Sequence, residues 1–254
     1  MKKNIYLSIL TVITVLCIIG GSCYHLMGWG ASLIGRFLPE GQESAGSIVS
    51  SNATELGEFS SISIDANVMD LTIVPGDNAT LSFKGNSKLA PKYEVKGDTL
   101  VNTQDSIRNL MGNKNCSVTI TLPQDAYYEQ VEIISDVGDI DISGMRGARL
   151  TLDAAVGDMD LDSCDFEEME LIADVGDADV TDCNFSRLNV DNSVGDIDVD
   201  SASDLSEYTI DLSTDVGEVE VNEKSYRRSY SQDGEHGKNV TLSNSTGDIS
   251  LSYE

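Results

Sequence analysis

VGDIDI at Val137–Ile142, VGDMDL at Val156–Leu161, VGDADV at Val175–Val180 and VGDIDV at Val194–Val199 repeat one phrase four times. Their glycines, Gly138, Gly157, Gly176 and Gly195, recur at every nineteenth place (157−138, 176−157, 195−176). A fixed period of about 20 residues, with one glycine turn and alternating apolar positions, marks stacked coils that share a core. The spacing predicts an all-β chain, a β-solenoid of 19-residue repeats. Two looser copies, VGEVEV at Val216 and TGDISL at Thr246, follow after intervals of 22 (217−195) and 30 (247−217).

Counted from each glycine, apolar residues fall in register. Two places on are Ile140, Met159, Ala178 and Ile197; four on are Ile142, Leu161, Val180 and Val199. Twelve on are Leu150, Met169 and Leu188, and fourteen on are Leu152, Leu171 and Val190, with Val131 and Ile133 extending these last columns backwards. Alternate residues of a strand share a face, so the columns point inward. Each buried aliphatic contributes roughly 1.5 to 3 kcal/mol. The glycine supplies a turn with positive φ, or room for a neighbouring backbone.

Between the inward residues stand carboxylates. Asp139, Asp158, Asp177 and Asp196 form one row, continued by Glu218 and Asp248; Asp141, Asp160, Asp179 and Asp198 form a second, continued by Glu220. With strands about 4.8 Å apart, adjacent unit charges repel by about 0.9 kcal/mol even at the dielectric of water. A solvated acidic face is one reading. The other is Ca²⁺, a hard cation taking six to eight oxygens, held between carboxylates of successive coils. The eight aspartates are the candidate metal ligands.

Cys164 and Cys183 both lie seven after their glycine, and Phe166 and Phe185 nine after. Cysteines stacked on adjacent coils form either a disulfide or a reduced, buried column. No CxxC pair or His-rich spacing suggests zinc.

Before the repeats, short alternating runs such as SISIDA, VMDLTIV, ATLSFKG and CSVTITLP predict strands between residues 58 and 125, a cap or first coils of the same stack. ANVMDLTIV at Ala66 is a worn copy of the phrase, with Met69 in the glycine place. Residues 126–254 carry the repeats, interrupted at 222–238 by a polar segment with Arg227, Arg228 and His236, read as a surface loop.

The N-terminus differs. Lys2 and Lys3 precede an uncharged run from Ile5 through Cys23, long enough to cross a bilayer as a helix. Residues 1–35 are therefore expected to be a cytoplasmic tip and transmembrane anchor, with the C-terminal part extracytoplasmic. A cleaved signal peptide, or a lipoprotein signal ending at Cys23, is the alternative. Residues 36–57, rich in Ser, Gly and Glu, are expected to be a flexible spacer.

The 254 residues carry 16 Lys and Arg against 43 Asp and Glu, a formal charge of −27, which argues against nucleic acid as a partner. Cations, basic polymers or neutral glycans fit better. The only histidines are His25 and His236, and no GxSxG, HExxH or P-loop phrase occurs, so a non-enzymatic role is expected. A lyase-like pairing of the aspartate patch with Arg227 is the enzymatic alternative.

SISIDANVMDLTIV, CSVTITLP ending at Pro123, VEIISDVGDIDI and the repeating GDI or GDM phrases together resemble a bacterial family of β-strand-repeat, adhesin-like proteins of unknown function. The resemblance covers residues 58 to 254. It implies an envelope-facing β-solenoid and assigns no catalytic residues. The expected function is a membrane-anchored binding module for a glycan, wall polymer or envelope protein. The alternative is an extracytoplasmic sensor or accessory subunit of an envelope-stress system.

Overall fold

The computed structural model describes residues 48–104, 115–234 and 237–253. The expected anchor, and residues 36–47 of the expected spacer, lie outside the described residues. Those described form strands and turns with no helix.

Each 19-residue unit makes one coil of two strands, which contribute to two parallel sheets packed back to back. Ile140–Ser143, Met159–Asp162, the start of Ala178–Val194 and Ile197–Ser201 lie side by side in sheet I. Tyr128–Ser135, Arg146–Val156, Asp165–Val175 and the end of Ala178–Val194 do so in sheet II. The in-register pairs Ile140–Met159–Ala178–Ile197 and Leu152–Leu171–Val190 place the apolar columns directly on one another. All of these side chains are buried.

Two different bends join the sheets. At the repeat glycines φ lies between 130° and 159°, a region that L side chains rarely adopt. A Cβ added to Gly176 would sit 2.0 Å from the carbonyl oxygen of Gly157. Glycine is required there both for its backbone conformation and for the closeness of the coil below. The opposite corner uses left-handed residues of ordinary kind, Ser163 (φ 55°) and Asp182 (φ 52°), where the coil before has Gly144. There the chain turns inward to Cys164 and Cys183, and then to Phe166 and Phe185, all buried. Gly147 pairs with Tyr128 on one side and Phe166 on the other, and the absent side chain leaves room for the Tyr128 carbonyl and the Phe166 ring.

The stack does not follow chain order at its ends. Counting in space, coil 1 is Thr99–Thr103 with Cys116–Pro123, and coil 2 is Ser61–Ala66 with Asp70–Gly76. Coil 2 pairs on its other side with coil 3, Tyr128–Ser135 and Ile140–Ser143. The 19-residue units continue to coil 6. Coil 7 is Asn239–Thr246 with Ile249–Tyr253, seated between coil 6 and coil 8, Thr209–Val216 with Val219–Val221. At the C-terminal end the chain passes over one coil's place, builds the outer coil 8 and then fills coil 7; at the N-terminal end it builds coil 2, then the outer coil 1, and returns past coil 2 to coil 3.

This explains the uneven intervals of the two loose copies. Gly247 stacks on Gly195, and Gly217 on Gly247. Met69 occupies the glycine place of coil 2, with its carbonyl beneath Gly138.

Antiparallel strands cover both ends, which would otherwise present unpaired backbone groups. Thr80–Asn86 and Lys92–Lys96 cover coil 1. The described part of the expected spacer joins this cap, since Ile48–Ser50 and Thr54–Glu55 pair with Thr80–Asn86. The 222–238 segment, expected as a surface loop, contains Lys224–Tyr226 and Ser229–Gln232, which cover coil 8. Asn222 and Glu223, both with positive φ (47° and 62°), make the tight turn joining Val221 to Lys224.

Candidate functional site: the aspartate rows

The structure brings the eight candidate aspartates onto four successive coils, but gives their two rows different tasks. In the first row each carboxylate reaches the next coil. Asp139 Oδ1 accepts from the backbone N–H of Asp158 at 3.0 Å, Asp158 from Asp177 at 2.9 Å, and Asp177 from Asp196 at 2.8 Å. The chain of contacts continues through Asp196 to Asp248 N and Asp248 to Glu218 N, at 2.7 and 2.8 Å. The glycine bend exposes a backbone donor that no strand partner satisfies, and the aspartate of the neighbouring coil accepts it. The spatial order is Asp196, Asp248, Glu218, the reverse of the chain order of the last two.

The second row runs Asp141, Asp160, Asp179 and Asp198, pairing position by position in sheet I. Ser250, not Glu220, follows Asp198, and Glu220 lies beyond Ser250. Burial first, and then the neighbouring carboxylates, hold all four above the usual carboxylate range. Asp160 pairs in register with Asp141 on one side and Asp179 on the other, so each carboxylate faces a like charge on the neighbouring strand. Thr72 of coil 2 donates to Asp141 at 3.4 Å. No lysine or arginine occupies sheet I between Ile140 and Ser201.

Sheet II is different. Its outward face carries Arg149 and Arg187, both on Glu168 Oε2 at 2.7 and 3.0 Å. Hydrogen bonds from these two guanidinium groups, Arg187 foremost, hold the Glu168 carboxyl below its usual range. Arg227 lies in the turn beyond coil 8, outside the Asp139–Asp198 block.

Among the described residues, no three His, Cys, Asp or Glu side chains are grouped to hold a metal ion. The rows spread their carboxylates along the stack instead of converging them. Cys164 and Cys183 are unbridged thiols. Cys164 N–H donates to Cys183 Sγ at 3.3 Å, and the thiol contact between them, together with burial, pushes Cys183 up. Burial raises the Cys116 thiol to about 11.

The sequence alone did not reveal a buried polar column beside the glycines. Asn192 Nδ2 donates to Gly176 O at 2.9 Å, Asn244 Nδ2 to Gly195 O at 2.7 Å, and Thr214 Oγ1 to Gly247 O at 2.9 Å. Ala154 and Ala173 hold this inward position in the earlier coils. The signal was present: Asn192, Asn244 and Thr214 each stand three before a repeat glycine. A cleft of about 390 Å³ lies at the coil 1 end, lined by Leu56, Phe59, Ala79, Pro123 and Tyr128 with Glu55, Glu58 and Asp77.

A parallel two-sheet solenoid with a glycine bend in coils 3 to 8 defines a class of all-β repeat proteins. The chain belongs to the Toastrack DUF4097 family, whose model matches residues 59–221. It is similar to a candidate cell adhesion protein of Clostridium sporogenes, at 16% identity over 82% of this chain and 100% of that one, with a TM-score of 0.45. It is also similar to a candidate adhesin of Bacteroides fragilis, at 15% identity over 81% and 96%, with a TM-score of 0.41. A candidate lipid binding protein of Parabacteroides distasonis aligns at 11% identity over 82% and 98%, with a TM-score of 0.29. No curated protein is matched by the sequence.

Proposed function

We propose that this chain is a non-enzymatic, membrane-anchored binding module that presents an acidic β-solenoid outside the membrane. The observation that carries the reading is the second aspartate row: four in-register carboxyls whose pKa values are raised by burial and by one another, on the part of sheet I between Ile140 and Ser201, which has no lysine or arginine. Such a face gains from any partner that brings positive charge, and its rigid spacing suits a polymer with a regular repeat. Membership of an all-β family fits this role, as does the continuous core that fixes the rows. Ca²⁺ enters the proposal as a mobile countercharge along the rows. The anchor proposed for residues 1–35 would place the solenoid on the far side of the cell membrane, where wall polymers, glycans and envelope proteins are available.

Photo-crosslinking from the exposed positions Asp162 and Thr181, beside Asp160 and Asp179 in sheet I, tests the reading in intact cells. Capture of a wall polymer, glycan or envelope protein, lost when Asp160 and Asp179 are both changed to Asn, is the expected result. Capture of nothing outside the cytoplasm, or capture unaffected by the neutral variants, overturns it. Recovery of a membrane regulator as the sole partner would favour the envelope-stress alternative.

A further inference from the structure

The exposed apolar residues are not scattered. Val137, Val156, Val175, Val194 and Val216, one before each repeat glycine, are 45% to 48% exposed. They form one line along the stack: Val156 pairs with Val175, Val175 with Val194, Val194 with Thr246, and Thr246 with Val216. Ile134 and Ile172, at 39% and 36%, lie apart from it on sheet II, beyond Asp136 and Asp174 and on either side of Asp153. The remaining large exposed apolar residues, Ile48, Val49, Val95 and Tyr127, belong to other parts of the molecule. A contiguous apolar line on a soluble surface marks a contact site more often than an isolated exposed valine does.

One margin of the line is acidic throughout and the other at three of its six places, with Ala155, Ser193 and Ser245 in between. On one side runs the first aspartate row, each carboxylate fixed by the N–H of the following coil. On the other stand Asp136, Asp174 and Asp215, all exposed. A second copy of this edge would set acidic margin against acidic margin, and an anionic lipid surface would be repelled in the same way. The complementary partner has an apolar line flanked by lysines or arginines.

The spacing selects its secondary structure. Valines on successive coils are about 4.8 Å apart. An apolar stripe on an α-helix returns every three to four residues, about 5.3 Å at 1.5 Å per residue, and slips by only about 0.5 Å per coil. An extended strand repeats a face every ~6.6 Å and slips by ~2 Å per coil. We infer that the valine edge is a docking seat for a cationic amphipathic α-helix lying along the solenoid axis. This goes beyond the proposed binding role: it adds a second seat, on the edge, to the one proposed on the sheet I face.

The column itself supplies a safe variant, because Thr246 already occupies the same position in coil 7. The full chain in zwitterionic nanodiscs is titrated with two fluorescent peptides of equal leucine and lysine content, one with leucines at helical period and one strictly alternating. Empty nanodiscs are the blank. The helical-period peptide is expected to bind at least ten-fold tighter than the alternating one. The triple variant Val156→Thr, Val175→Thr, Val194→Thr should lose at least ten-fold for that peptide while melting as the parent does. Asp160→Asn with Asp179→Asn, on the sheet I face, should leave the preference intact. Equal affinity for the two peptides, or a triple variant that binds undiminished, overturns the docking seat. If instead the Asp160 and Asp179 changes abolish binding of both peptides alike, the edge is excluded and the acidic-face reading stands.

Discussion

Replacing Gly176 with alanine tests the closeness of the coils most directly. At φ 147° an L residue is strained by about 1–3 kcal/mol. The new Cβ would also lie 2.0 Å from Gly157 O and 2.6 Å from Gly157 C, both backbone atoms. Relief requires the two coils to part by about 1 Å, which lengthens Gly157 N to Val175 O (3.0 Å), Met159 N to Asp177 O (2.9 Å) and Asp177 N to Asp158 Oδ1 (2.9 Å). At about 0.5–1.5 kcal/mol per hydrogen bond, and with the strain added, the cost is roughly 3–6 kcal/mol. For a domain of this size that lowers Tm by about 10–20 °C. Gly97 is the control: its φ is 63° and nothing lies within 4 Å of an added Cβ, so Gly97→Ala should cost only about 1 kcal/mol. Circular dichroism melts of the two variants decide the matter. If Gly176→Ala melts within about 2 °C of Gly97→Ala, less than a single kcal/mol would shift it, coil closeness does not constrain the repeat.

Four further outcomes are expected. Asp158→Ala leaves the Asp177 N–H without its acceptor and should cost about 1–2 kcal/mol in urea unfolding, whereas Asp158→Asn keeps an acceptor oxygen and should cost far less. The second-row carboxyls have raised pKa values in the folded state, so they bind protons more tightly folded than unfolded. Their contribution is therefore fully present below the unfolded carboxylate pKa and lost as pH rises through the raised folded values. Tm should climb as pH is lowered from neutrality toward that range, and Asp160→Asn with Asp179→Asn should raise Tm at pH 7 and flatten the climb; a parent Tm that only falls on acidification would refute this. Glu168, held low by its arginines, works in the opposite sense and loses its contribution as pH falls. Ca²⁺ acting as a mobile countercharge should raise Tm, with Mg²⁺ at the same concentration nearly as effective; a calcium-only shift with a stoichiometric calorimetric end point would instead require a chelating site. Native alkylation should spare Cys116, Cys164 and Cys183, and unfolding without reductant should expose all three as free thiols in peptide mass spectra.

The regular middle of the fold was legible because its physics is periodic. One glycine and two alternating apolar pairs in each 19-residue unit fix strand, bend and face, so the columns through Ile140 and Leu152 could be placed from spacing alone. The ends were not legible, since Asn222–Lys238 looks polar and loop-like while its pairing with coil 8 is decided by tertiary contacts. The seating of Asn239–Thr246 between Thr209–Val216 and Ala178–Val194 leaves no local trace in composition. For the candidate site, the spacing revealed that the carboxylates align. It could not reveal that Asp139 and its successors accept backbone N–H groups while Asp141 and its successors face one another. Both rows have the same residue type, and only the bend geometry separates them.

The seating of coil 7 also sets the order in which the molecule can be completed. As the chain emerges from its N-terminus, residues 209–221 become available before residues 239–253, yet they have no parallel neighbour until the later segment arrives. Until then coil 6 presents two bare sheet edges with room for one β-layer, and the hairpin strands of the far cap wait on a coil that is not yet docked. The last segment thus acts as a closing latch. The same hydrogen-bond pattern would accept the matching strand of another copy, so the gap is the place where an exchanged dimer would form.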